Sequence, residues 1–197
     1  MAKKLSIKNS KKELILLHSC CAICALPFID FFLKQKQSLV LYFDNPNIYP
    51  KKEYLKRLSN LKKVAKLYNL SLKKTSYDHK NWLNYLRKNL PLKPENYKEN
   101  TIRCQKCFEF RILKTINFCL KNNYSKWTTT LSVSRFKDVN YINNFSLNQS
   151  LANNLKYIKL NLDPFLSYQQ AKELSEKYNL YRQKYCGCEF SLKKKYK

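Results

Sequence analysis

Seven of the eight cysteines fall into three groups: Cys20, Cys21 and Cys24 in CCAIC, Cys104 and Cys107 in RCQKC, and Cys186 and Cys188 in YCGC. A two-residue gap brings two sulfurs within reach of one metal, and a helix N-terminus favours the thiolates a metal requires. Two C-x-x-C pairs and a C-x-C, in a chain with no sign of a secreted disulfide framework, therefore predict metal binding. Structural zinc would consume four thiolates and leave three idle. An iron–sulfur cluster also takes four, suits adjacent cysteines such as Cys20 and Cys21 better than a tetrahedral zinc knuckle does, and leaves a surplus fit for redox work. Two readings of Cys186 and Cys188 stay open: a thiol pair that closes and reopens, or two further ligands. Gly187 between them is the only glycine in the chain, and its backbone freedom suits a tight turn presenting both sulfurs together. Cys119 lies on the apolar stripe of a helix and reads as a core residue.

Other polar groups allow two readings each. Asp44 is a proton donor or a turn residue before Asn-Pro. His18 ligates or donates, or is a hydrogen-bonded core residue closing a strand. Thr128 to Thr130, Ser132 and Ser134 offer hydroxyls to phosphate or ribose, or pack. Arg135, Tyr181, Arg182 and Tyr185 suit unstacked bases, which aromatic rings and guanidinium planes grip, although tyrosine is abundant here and mostly packs. Trp82 and Trp127 read as core, and His79 as a helix start.

The elements that must position these groups alternate. ELILLH, SLVLYF, LSLKKTSY, KWTTTLSVS and LKYIKLNL have strand length and apolar content. Helices are predicted over 26–36, from Pro50 along Tyr54, Leu58, Leu61, Ala65 and Tyr68, over HKNWLNYLRK, along Phe108, Ile112, Ile116 and Cys119, and over SYQQAKELSEKYNL. DNPNIYP and NLPLKPENYKEN read as loops. This order predicts a single-domain α/β fold: a mostly parallel, Rossmann-like sheet flanked by helices, with residues 13–192 as the catalytic domain between basic tails at 1–12 and 193–197. Sites in such sheets lie beyond the carboxyl ends of the strands, so the metal site is expected at that rim.

The formal charge is +26 over 197 residues, which points to a polyanionic partner. Of the 39 basic residues only six are Arg, a lysine bias that base composition of the gene also explains. No basic amphipathic helix with a one-sided apolar face argues for a membrane surface. MAKKLSIKNSKK before an apolar run resembles a signal peptide, but His18, Pro27 and Asp30 interrupt the run and no small-residue cleavage site follows, so a cytoplasmic protein is expected.

LLHSCCAIC, YFDNPNIYPKKEYLKR, RCQKCFEFRILKT, WTTTLSVS and YRQKYCGCEFS, in that order, resemble the QueH-type epoxyqueuosine reductases over about Leu14 to Leu192. The likeness departs where the family often has Pro in place of Ile23, and in the loop 90–101. It implies reductive deoxygenation of epoxyqueuosine, a modified guanine in the anticodon loop of certain tRNAs, to queuosine without cobalamin. It implies a [4Fe-4S] cluster on Cys20, Cys21, Cys104 and Cys107, a redox-active pair in Cys186 and Cys188, and an external electron donor. Cys24 is then left over, and the thiol surplus places it beside the cluster, ligating a second iron ion or exchanging with a cluster ligand. Two rival classes remain. A tRNA thiolase or pyrophosphatase needs a glycine-rich phosphate loop after its first strand, where this chain has cysteines. A non-catalytic zinc module binding nucleic acid is the other.

Overall fold

The computed structural model describes residues 13–134 and 137–192; both basic tails and Arg135 lie outside them. Five parallel strands, β1 (Ile15–His18), β2 (Leu39–Phe43), β3 (Ser71–Lys74), β4 (Lys126–Thr129) and β5 (Lys156–Tyr157), form one sheet in the order β3-β2-β1-β4-β5. Every residue of β1 and β2 is buried, as expected of central strands covered on both faces. The helices are α1 (Ala22–Lys34), α2 (Lys51–Leu67), α3 (His79–Asn89), α4 (Ile102–Asn122), α5 (Val139–Ala152), α6 (Pro164–Lys177) and α7 (Glu189–Leu192).

Two cores follow from the alternation of side chains along β1 and β2. Leu17, Leu41 and Phe43 pack with Phe28, Ile29 and Phe32 of α1 and with Leu58, Leu61 and Val64 of α2. Leu16, Val40 and Tyr42 pack on the other face with Ile112, Ile116 and Cys119 of α4, Ile142 of α5 and Trp127. Cys119 is fully buried there. A third cluster joins Trp82 and Leu86 of α3, Cys107 and Phe110 of α4, and Cys188 and Phe190 near the C-terminal end. The predicted α/β architecture is thus the observed one.

Several boundaries differ from expectation. The first helix begins four residues before the predicted 26, because Cys21 caps it: its sulfur accepts the Cys24 amide at 3.4 Å, leaving Pro27 inside the helix. Residues 139–152, where no apolar stripe stands out, form α5, started by Asp138 accepting from the Tyr141 amide and buried through Asn143, Ser146 and Ser150 as well as Ile142. Of LKYIKLNL only Lys156 and Tyr157 pair as a strand, beside Lys126 and Trp127 of β4, and the Ile158 amide adds a bond to the Trp127 carbonyl at 2.9 Å. The loop 90–101 holds one 3-10 turn, Pro94–Asn96. Helix ends need the left-handed conformation that glycine usually supplies. Here Asn69, Asn123, Asn154 and Asn179 supply it with φ of 45–60°, and Lys36 does so after α1. Asparagine tolerates that region through its short polar side chain. Helix termination therefore leaves no demand for glycine.

Candidate functional site: a cysteine-lined cavity

The strand order reverses between β1 and β4, so the segments leaving these two strands diverge and open a crevice at the carboxyl rim. Cys20 stands there. Its amide donates to Thr130 Oγ1 at 3.0 Å, and the Thr130 hydroxyl donates to its sulfur at 3.3 Å. The Asn45 side chain, beyond β2, donates to the Ser19 carbonyl at 2.9 Å and fixes the same turn. Cys20 and Cys21 sulfurs are 4.0 Å apart, and with Cys24 all three lie within 4.8 Å of one another. This trio is able to hold a metal ion.

A cavity of about 590 Å³ opens beside the trio, lined by Cys20, Cys24, Cys104, Cys186 and Cys188 among others. All three sequence groups thus reach one space. Cys104 and Cys107 sit in the opening turns of α4, where the Cys104 sulfur accepts the Asn100 amide at 3.3 Å. Neither sulfur lies within 4.8 Å of all three in the trio. Cys107 is buried in the third core cluster, and burial pushes its thiol up to about 12. Arg111 and the buried Trp82 indole N–H work against that rise and favour the thiolate.

Positive charge surrounds the sulfurs. Arg111 is 3% exposed, lines the cavity, donates from Nη2 to Asn45 Oδ1 at 2.5 Å and has no carboxylate partner among the described residues. Lys137 lines the cavity too, and the sulfurs of Cys20, Cys24 and Cys186 raise its pKa against the effect of burial. Cys20 is held well below the ordinary thiol range by hydrogen bonding from Cys21 and Cys24, with help from Lys137 and Arg111. Its neighbours move the other way, Cys21 to about 12 and Cys24 well above normal. Hydrogen bonding within the trio therefore favours the thiolate on Cys20 over its neighbours. Cys186 repeats the pattern: hydrogen bonding from Cys188, then Lys137, Arg111 and Arg57, bring it to about 6, while Cys188 rises well above normal. Several thiols with cations beside them, and Glu99 as the one carboxylate among the lining residues, are a donor set that fits a thiolate-bound iron centre.

The turn carrying Cys186 and Cys188 is held by Arg57. Its guanidinium donates to the Tyr185 and Cys186 carbonyls, each at 3.0 Å, and to Glu53 at 2.7 Å. The Tyr49 amide donates to the Gly187 carbonyl at 2.7 Å. Gly187 has φ +120°. Cys186 is exposed, Cys188 is buried, and all eight cysteines are free thiols.

The remaining expected residues divide. Ser134, Arg182 and Tyr185 line the cavity. Ser132 donates to the Thr129 carbonyl at 2.9 Å, and Tyr181 donates to the Glu53 carboxylate at 3.0 Å while Lys56 covers its ring; neither lines the cavity. Asp44 is also not among the lining residues. Its carboxylate accepts from Tyr42, two positions earlier and hence on the same strand face, and pairs with Lys114 at 3.4 Å. That placement suits a structural acid rather than a proton donor. His18 is fully buried, with Nδ1 on the Thr129 hydroxyl at 2.8 Å and Nε2 on the Asp44 carbonyl at 3.2 Å. Burial and Arg111 lower its pKa to about 3, so it is a neutral core histidine. His79 starts α3 between the Pro46 carbonyl and Glu189, and Trp82 and Trp127 are core.

Sequence reasoning missed Arg57, Arg111, Lys137 and Gln183, whose amide donates to the Cys21 sulfur at 3.0 Å. A signal existed for two of them. In a chain that elsewhere prefers lysine, Arg57 and Arg111 each adjoin the apolar stripe of their helix, beside Leu58 and Ile112.

The family described as epoxyqueuosine reductase QueH matches residues 15–194. The chain belongs to this family. The Haemophilus influenzae protein named epoxyqueuosine reductase QueH is 33% identical over 191 residues, covering 96% of this chain and 76% of that one. The protein of the same name from Staphylococcus epidermidis is 30% identical over 194 residues, covering 95% and 79%. QueH proteins are reductases, and this one is accordingly an oxidoreductase. A solved structure described as a predicted subunit of a tRNA methyltransferase from Methanocaldococcus jannaschii aligns at TM-score 0.49 and 14% identity over 82% of this chain and 74% of that one, a likeness too slight to bear on function. No helix among the described residues is long and apolar enough to cross a membrane.

Proposed function

We propose that this protein reduces epoxyqueuosine to queuosine in tRNA, with an iron–sulfur cluster held by Cys20, Cys21, Cys104 and Cys107, Cys24 beside it, and Cys186 and Cys188 as a redox pair. The observation that carries this reading is the meeting of all three cysteine groups at one cavity beside Arg111 and Lys137. When bound, such a cluster supplies single electrons at low potential.

Converting an epoxide to an alkene breaks two C–O bonds, takes up two electrons and two protons and releases water. The C-x-C pair accounts for the electrons. Closing one S–S bond between the Cys186 thiolate and the Cys188 thiol releases two electrons and one proton. The second proton comes from the Lys137 ammonium, which lines the same cavity and recovers it from water. Arg111 and Lys137 favour the negative charge that gathers on oxygen as the ring opens, in a site where low dielectric strengthens their effect. An external two-electron donor reopens the disulfide; exposure of Cys186 gives it access.

The experiment is direct. Anaerobically purified protein, incubated with epoxyqueuosine-bearing tRNA and a low-potential reductant, should yield queuosine on nucleoside mass analysis and should carry iron and sulfide. A colourless protein loaded with zinc and lacking turnover would leave the nucleic-acid-binding zinc module instead.

A further inference from the structure

The helix that lines one side of the cavity carries a partly exposed apolar surface. Phe165, Leu166 and Tyr168 in the first turns of α6 are 67%, 62% and 53% exposed, although Ser167 and Ala171 of the same helix are buried and line the cavity. Tyr168 lines the cavity as well, so its ring bridges the interior and the outside. Phe165 precedes it by three positions and neighbours it on the helix surface. Arg182, from the segment after α6, donates from Nη2 to the Tyr168 hydroxyl at 3.0 Å and places its guanidinium carbon 5.4 Å from the ring centroid. It also lines the cavity and has no carboxylate partner among the described residues.

Single exposed apolar side chains need no explanation, but three large ones in the opening turns of a helix whose Tyr168 lines a charged cavity mark a contact surface. A tyrosine ring with a guanidinium over it suits a flat, polarisable partner. The net charge of +26 favours a polyanionic carrier of such partners over an apolar peptide. We propose that Tyr168, Arg182 and Phe165 form a stacking platform for an unpaired nucleotide adjacent to the one that enters the cavity. The proposal rests on the action on tRNA inferred above. A base drawn out of a single-stranded loop leaves its neighbour without a stacking partner. The Tyr168 ring replaces that partner, Arg182 pairs with the adjoining phosphate, and Phe165 extends the surface outward.

The test uses iron-loaded protein and an anticodon stem–loop bearing 2-aminopurine beside the reactive position, whose fluorescence falls on stacking. Binding to the native chain should quench it. Tyr168→Ala should abolish the quenching and raise Kd roughly 5- to 150-fold, the effect of one lost base–aromatic contact. Tyr168→Trp should retain both, and Arg182→Gln should raise Kd with a shallower salt dependence. Binding without quenching by the native chain would overturn the platform, as would a Tyr168→Ala variant with native Kd and quenching. Native protein that binds and quenches the stem–loop yet leaves epoxyqueuosine untouched supports the platform and removes the reductase reading.

Discussion

A Cβ built on Gly187 would stand 2.8 Å from Nη1 of Arg57, and the residue's φ of +120° lies in a region side chains rarely enter. Both constraints arise from one arrangement, a buried guanidinium pressed against the backbone between two cysteines. Gly187→Ala should therefore destabilise the chain by about 1–3 kcal/mol and impair turnover without reducing iron content, checked by denaturant unfolding and metal analysis. Cys188→Ser should keep iron and sulfide yet lose turnover if the pair is redox-active; loss of iron would make it a ligand instead. Cys24→Ala should lower the iron count, and unchanged iron and sulfide would remove Cys24 from the centre. The depressed pKa of Cys186 has a definite sign: the thiolate persists down to about pH 6 rather than fading near the ordinary value of 9. Alkylation of its peptide by iodoacetamide should consequently rise with pH through a midpoint near 6. A midpoint near 9 would show that neither the Cys188 hydrogen bond nor the surrounding cations act on it.

Among the elements, α2 ties the C-terminal segment to the sheet. Arg57, 2% exposed, links Glu53 on its own helix to two carbonyls more than a hundred residues away. Removing one partner of a buried ion pair leaves the other charge uncompensated. Arg57→Leu is expected to cost about 3–5 kcal/mol, read by denaturant unfolding, with an added loss of order around the YCGC turn, read by faster hydrogen exchange there. A surface salt bridge such as Lys34 with Asp30 should contribute well under that when broken. The sequence announced α2 by its apolar stripe, but not the charged residues beside the stripe, because periodicity reports which face is buried and not what waits at its edge. α5 went unannounced for a related reason: its buried face includes Asn143, Ser146 and Ser150, which bond to Tyr157, pack, and accept from Trp127 respectively, and polar residues leave no hydrophobic period.

At the scale of the whole molecule, the surplus of positive charge sets how the protein meets its substrate. Affinity for an anticodon stem–loop should fall linearly on a log–log plot against salt, with a slope of roughly 0.7–0.9 per neutralised phosphate; a salt-independent Kd would deny phosphate a part in binding. What the chain settled unaided was the alternation of strands and helices, hence a parallel sheet, and the presence of three thiol groups just past strand or helix boundaries, because both follow from local spacing. Asparagine at helix ends, in place of glycine, is equally local. Only the folded arrangement decided that Cys20, Cys24, Cys104, Cys186 and Cys188 open onto one cavity, that Asp44 turns to Lys114 and Tyr42, and that Arg111 stands among the sulfurs. Those outcomes depend on strand order and on contacts between residues up to 162 positions apart, as from Cys21 to Gln183, and one chain read in sequence carries no record of which distant neighbours packing will supply.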